Sequence, residues 1–122
     1  MMRFFSSASG NAPAVPSVLQ NILVLTPPYS AVLTATFPSN YSFGKGATGA
    51  TVSNQYCATS TNVCQAYTPP QTIVSGVQLI HTNTASPLAT GSAGRVYWNV
   101  KVINNLGCTA IYPTQSTAAI VP

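Results

Sequence analysis

The chain is 122 residues long, with four Lys or Arg, no Asp, no Glu and a formal charge of +4. At 46% hydrophobic residues it can fill one modest core, and at 3% charged residues it offers little repulsion against self-association. The missing carboxylates exclude paired-acid catalysis, a Ser-His-Asp triad, carboxylate cages for calcium or magnesium, and ion pairs between side chains.

Residues 1–14 read as an N-terminal extension and 15–122 as a single β-rich globular domain. Met1–Gly10 carries Arg3, two Phe and a Ser-rich stretch. It lacks the apolar run of roughly 7–15 residues found in a secretory signal. Its acid-poor, Arg- and Ser-containing start shares the character of a mitochondrial transit peptide, but the whole chain shares that bias. No stretch reaches the ~18 apolar residues of a membrane helix. The nearest, VLQNILVL at 18–25, is interrupted by Gln20 and Asn21 and reads as a buried strand or short helix.

Strand signals dominate the rest of the chain. Ala31, Leu33, Ala35 and Phe37 alternate with Thr34 and Thr36, which predicts a strand with one apolar face. Asn40-Tyr41-Ser42 is a formal glycosylation triplet, of a kind common by chance in Ser/Thr-rich chains. Gly44–Gly49 (GKGATG) reads as a loop and lacks the GK[ST] ending of a phosphate loop. Ile73, Val77 and Leu79 suggest a second alternating face, with Gly76 as a bulge. The clearest strand comes next: Val96, Trp98, Val100 and Val102 face one way, and Arg95, Tyr97, Asn99 and Lys101 the other. Asn104–Gly107 reads as a hairpin turn, and Cys108–Tyr112 and Ala118–Val121 as shorter strands. Pro27-Pro28 and Pro69-Pro70 end the segments before them, because Pro removes a ladder donor and fixes φ. No long helical stripe and no repeat is visible. The expected architecture is mainly β, a small antiparallel sheet or sandwich of about five to seven strands.

Three Cys leave several pairings open. Cys57 and Cys64 bracket a short polar loop that a disulfide can close, and Cys108 could bridge to either one. One thiol is left over in each case, free and buried or paired between chains. Three Cys and His81 would suffice numerically for a zinc site, but no two lie at the usual ligand spacing. Cys108 or Cys64 with His81 is the one nucleophile–base pair available without a carboxylate. A lone His beside a strand end is more often structural, so no catalytic residue and no cofactor is expected. The four cations are spread from Arg3 through Lys45 and Arg95 to Lys101, unlike the clustered footprint of a nucleic-acid binder. The Tyr residues and Trp98 could supply a sugar-stacking platform or a subunit interface.

The strand 95–103, the turn 104–107 and Cys108 behind it, in a chain rich in Ser, Thr, Gly and Pro, resemble the globular head of bacterial type IV pilins. Pilins begin with a long hydrophobic helix bearing an acidic residue, and this chain has neither. That departure is similar to the split form of the family, the geopilin domain 2 type, in which the helix is a separate small chain. The resemblance implies a pilin-head-like fold without its own long helix, and a role as a structural subunit of an extracellular filament. It implies a hydrophobic, acidic helical partner chain and copies of the subunit itself, with membrane association only through the partner. Localisation would be the cell surface, by way of the periplasm. Arg3, Lys45, Arg95 and Lys101 would orient the subunit against the acidic partner. Two other readings fit the composition: a secreted adhesin or carbohydrate-binding sandwich using exposed Tyr and Trp98, and a viral shell protein. With no side-chain carboxylate to titrate, stability is expected to change little between about pH 7 and pH 3, apart from His81 and the C-terminus.

Overall fold

The computed structural model describes residues 11–58, 63–88, 95–114 and 119–120. Their regular structure is entirely strand: β1 (Val18–Val24), β2 (Ser30–Phe37), β3 (Ala50–Ala58), β4 (Val63–Cys64), β5 (Gln71–Ile73), β6 (Leu79–Ala85), β7 (Arg95–Asn104), β8 (Thr109–Pro113) and β9 (Ala119–Ile120). They form two antiparallel sheets. One runs β1-β2-β6; the other runs β4-β3-β7-β8, with β5 also on β3 and β9 also on β7. The mainly β, antiparallel architecture expected from the sequence is the one the chain adopts.

The central strands follow simple alternation. On β2, Ala31, Leu33, Ala35 and Phe37 are wholly buried. They share one core with Val96, Trp98, Val100 and Val102 of β7 and Val52 of β3. Burying one such side chain contributes about 1.5–3 kcal/mol, so this inner layer is the main stabilising term. Phe37, Tyr41 and Phe43 extend it as a chain of edge-on rings, with centroids 5.0 and 5.4 Å apart. β3 lies along nearly all of β7, from Ala50↔Asn104 to Ala58↔Val96.

The outer positions of the larger sheet are each filled by two broken pieces. β4 and β5 pair with opposite ends of β3, and the chain between them stays beside it: Gln65 N–H donates to Tyr56 O, and Thr68 N–H to Asn54 O. Pro69 and Pro70 have no N–H, which ends that ladder before β5 resumes it. On the far side, β8 and β9 pair with different ends of β7. Thr114 sits between them, its N–H on Trp98 O and its hydroxyl accepting from Trp98 N–H.

Three expectations are corrected. The alternation through Ile73, Val77 and Leu79 is not one strand. Ile73 ends β5 in one sheet, Leu79 begins β6 in the other, and a turn closed by Val77 N–H on Val74 O joins them. Gly76, at φ 79°, is a turn glycine and not a bulge. The stretch 18–25 is strand through Val24, but it is an edge, not a buried element. Asn21 points inward while Val18, Ile22 and Val24 are exposed. His81 lies in the middle of β6 and is buried, not at a strand end.

Residues 11–14, assigned to the extension on sequence grounds, lie against the body. Pro13 is fully buried, and its carbonyl accepts from the Tyr112 hydroxyl; the Ala14 carbonyl accepts from the Tyr41 hydroxyl. Burial holds the Tyr41 hydroxyl well above the usual phenol range, so it stays a donor. Asn104, at the end of β7, ties the region together. Its Nδ2 donates to Asn11 O and Phe43 O, and its Oδ1 accepts from Leu106 N–H and Cys108 N–H across the predicted hairpin turn.

Candidate functional site

The cysteines resolve into one bridge and one thiol. Cys57 on β3 stands opposite Cys64 on β4 and is bonded to it, which closes the loop that the sequence marked. Cys108 is a buried thiol beyond the hairpin turn. The thiol is not beside His81, whose two ring nitrogens face amides instead, so the Cys–His pair does not form. No group of three or more His, Cys or acidic residues that could hold a metal occurs among the described residues.

The four candidate partner-binding cations are not gathered into a patch that the described residues reveal. Arg3 lies outside those residues. Lys45 is exposed in the turn closed by Ala47 N–H on Gly44 O. Lys101 lies over the Tyr67 ring, 4.0 Å from its centroid. Arg95 opens β7, paired through its backbone with Ile120. Asn40 of the glycosylation triplet is exposed in the turn closed by Tyr41 N–H on Pro38 O.

The chemistry the sequence missed is a line of side-chain amides between the sheets. Asn83 Nδ2 on β6 donates to Asn54 Oδ1 on β3 at 2.8 Å. Asn54 Nδ2 lies 2.8 Å from His81 Nε2, and His81 Nδ1 lies 2.9 Å from Gln71 Oε1. Burial lowers the His81 pKa below its ordinary value, so the ring is neutral and carries one N–H. Gln71 Oε1 can only accept, which places that hydrogen on Nδ1. Nε2 then accepts from Asn54, and every bond in the line has one direction. Asn83 Oδ1 in turn accepts from Thr84 N–H.

This line ends at a groove of about 430 Å³ on the flank where β6 faces β3 and the 65–68 segment. Tyr56 and Trp98 form its aromatic side, with centroids 5.3 Å apart at 65°. Trp98 is only 1% exposed, which corrects its expected role in an exposed stacking platform. Asn83, Gln65 and Thr68 add polar groups, and Pro87, which follows a cis peptide bond, and Leu88 close the far end.

A second feature is the outer face of the three-stranded sheet. Rows across it read Val18–Thr36–Ile80, Gln20–Thr34–Thr82 and Ile22–Val32–Thr84. Ile22 is 52% exposed and Ile80 55%, and none of the three strands contains a charged residue. No described strand pairs with the outer edge of β1, and β1 contains no Pro or Lys of the kind that usually guards such an edge. Searches for similar proteins give no family model and no curated protein that matches this chain.

Proposed function

We propose that this chain is a structural, non-enzymatic subunit of an extracellular filament of the type IV pilus kind. It would be assembled with copies of itself and a separate hydrophobic helical chain. The observation that carries the reading is the uncharged outer face of the β1-β2-β6 sheet, with Val18, Ile22, Val24 and Ile80 open to solvent. Covering apolar surface gains about 25 cal/mol per Å², and no charge on this face must be desolvated to cover it. The outer strands of a three-stranded sheet stand about 10 Å apart, close to the 10–12 Å diameter of one helix. The face therefore suits a single helical chain. The two sheets already cover each other's inner faces, so the helix would pack outside a closed core. The Cys57–Cys64 bridge fits an oxidising compartment outside the cytosol.

The test introduces charge on the face. Wild-type protein, alone and with the candidate helical chain, is compared with the Ile22→Lys/Ile80→Lys variant by sedimentation and negative-stain imaging. Both residues are exposed, so the unfolding midpoint should hold within about 0.5 kcal/mol per site. Regular fibres from the wild type and dispersed particles from the variant would support the reading. A wild type that stays monomeric at high concentration with its partner present would end it.

A further inference from the structure

We infer that the groove beside β6 is a binding site for a neutral, hydroxyl-rich ligand of the saccharide class. Its volume of about 430 Å³ falls within the roughly 300–1,000 Å³ typical of small-molecule sites. Among the described residues no Lys, Arg or His lines it, and the chain has no Asp or Glu. A charged ligand would lose its hydration there without a counter-charge, which selects for a neutral one.

The polar groups in the groove have capacity left over. The Tyr56 hydroxyl makes no hydrogen bond with the described residues, nor does the Gln65 carboxamide. Asn83 Nδ2 uses one hydrogen on Asn54 Oδ1, and its second has no partner among the described residues. Together these groups offer donors and acceptors at separate points, as the hydroxyls of a sugar ring require. Burial raises the Tyr56 pKa, so the phenol keeps its proton and can both donate and accept. The Tyr56 ring and Pro87 give apolar surface for the C–H face of such a ring, with Trp98 buried behind Tyr56 as its support.

The site is also set before a ligand arrives. Tyr56 is braced edge-on by Trp98. Asn83 is fixed by the one-way line from Gln71 through His81 and Asn54, so its spare N–H cannot exchange places with its carbonyl without reversing that line. Fixed groups lose little freedom on binding, which favours a ligand that matches them. This inference does not depend on the assembly reading: the groove lies on the flank between the sheets and meets the uncharged outer face only at Thr84, so Ile22→Lys/Ile80→Lys leaves its lining unchanged.

The experiment titrates purified chain with a panel of neutral sugars: glucose, galactose, mannose, N-acetylglucosamine and their disaccharides. A sulfated disaccharide and a sialylated trisaccharide serve as charged probes. Binding is read by saturation-transfer NMR and by emission of Trp98, the chain's one tryptophan. At least one neutral sugar should bind in the millimolar range or tighter, and the charged probes more weakly. Tyr56→Phe removes a hydroxyl that no described residue uses, so it should fold normally and bind roughly five- to tenfold more weakly. Gln65→Ala, at an exposed position, should weaken binding in the same direction. The inference is overturned if no neutral sugar binds up to about 10 mM, if the charged probes bind better, or if Tyr56→Phe binds as the wild type does.

Discussion

Replacing Asn21 by Ala should destabilise this chain far more than its place on an edge strand suggests. Asn21 Oδ1 accepts from Trp98 Nε1 at 3.2 Å, and its Nδ2 donates to Val96 O at 3.0 Å, so one side chain links β1 to β7 across the sandwich. In Asn21→Ala the indole N–H is left in a dry core with no partner. That orphaned donor costs about 1–3 kcal/mol, and the lost bond to Val96 about 1 kcal/mol more. The sum is about 2–4 kcal/mol, which in a domain of this size lowers Tm by roughly 10 °C. Urea unfolding followed by far-UV circular dichroism measures it, because that signal survives in a variant that lacks the indole. Gln20→Ala, on the exposed side of the same strand, should stay within about 0.5 kcal/mol of wild type. In a Trp98→Phe background no indole is stranded, so Asn21→Ala should cost about 1–2 kcal/mol less there. Equal effects of Asn21→Ala in the two backgrounds, or of Asn21→Ala and Gln20→Ala, would refute the reasoning.

Acid should weaken the fold through His81 alone among the buried groups. The unfolded imidazole takes a proton near pH 6.5, while burial lets the folded one do so only at lower pH. Stability is therefore complete above about pH 6.5 and declines as pH falls below it, until the folded group titrates. The urea midpoint should drop between pH 7.5 and pH 5 in the wild type and stay level in His81→Gln; equal wild-type midpoints would count against this. Gly44→Ala should cost about 1–3 kcal/mol, since Gly44 has φ 106° and a Cβ there would collide with the Asn11 carbonyl. Gly46→Ala, at φ 80° with only the Leu106 side chain 3.7 Å away, should cost clearly less, and the reverse order in calorimetry would be a failure. Reducing the Cys57–Cys64 bridge, which joins residues seven apart, should lower stability by about 2–3 kcal/mol, matched by Cys57→Ala/Cys64→Ala. A reduced protein as stable as the oxidised one would contradict it.

The sequence is readable where strands alternate cleanly and lie in the middle of a sheet. β2 has apolar residues from Ala31 to Phe37 at every inward position and β7 at each one before its last, Asn104, and the sequence pattern locates both with their inner faces correct. β3 escapes it because its inward residues include Asn54, and Ser53 beside it is also buried, so polarity no longer reports which side faces in. β1 misleads for the converse reason: its most buried residue is Asn21, set between Leu19 and Leu23 on the core side, while Val18, Ile22 and Val24 face out. Between Ile73 and Leu79 the apolar spacing continues by coincidence across a turn that changes sheets. The groove could not be read at all. Its polar residues come from three separate stretches, and the bonds that orient them depend on a register between sheets that no local pattern encodes.

The missing carboxylates reappear as a rule of internal construction. Where a domain needs polar links inside, it can use ion pairs or neutral amides, and an isolated buried charge is much the costlier group to desolvate. At three such points among the described residues this chain uses Asn. Asn104 donates twice and accepts twice, Asn54 donates to His81 and accepts from Asn83, and Asn21 does one of each. Asp could replace none of them, because an ionised carboxylate only accepts and would face Phe43 O, His81 Nε2 or Val96 O without a hydrogen to give. The composition that removes carboxylates as acids and bases thus also supplies the two-way hydrogen bonding on which the interior depends. Asn104→Asp should accordingly be worse than Asn104→Ala at neutral pH and recover part of the difference once the carboxyl is protonated in acid. Urea midpoints of the two variants that keep the same gap at pH 7.5 and pH 3.5 would show that this interior does not distinguish a donor from a charge.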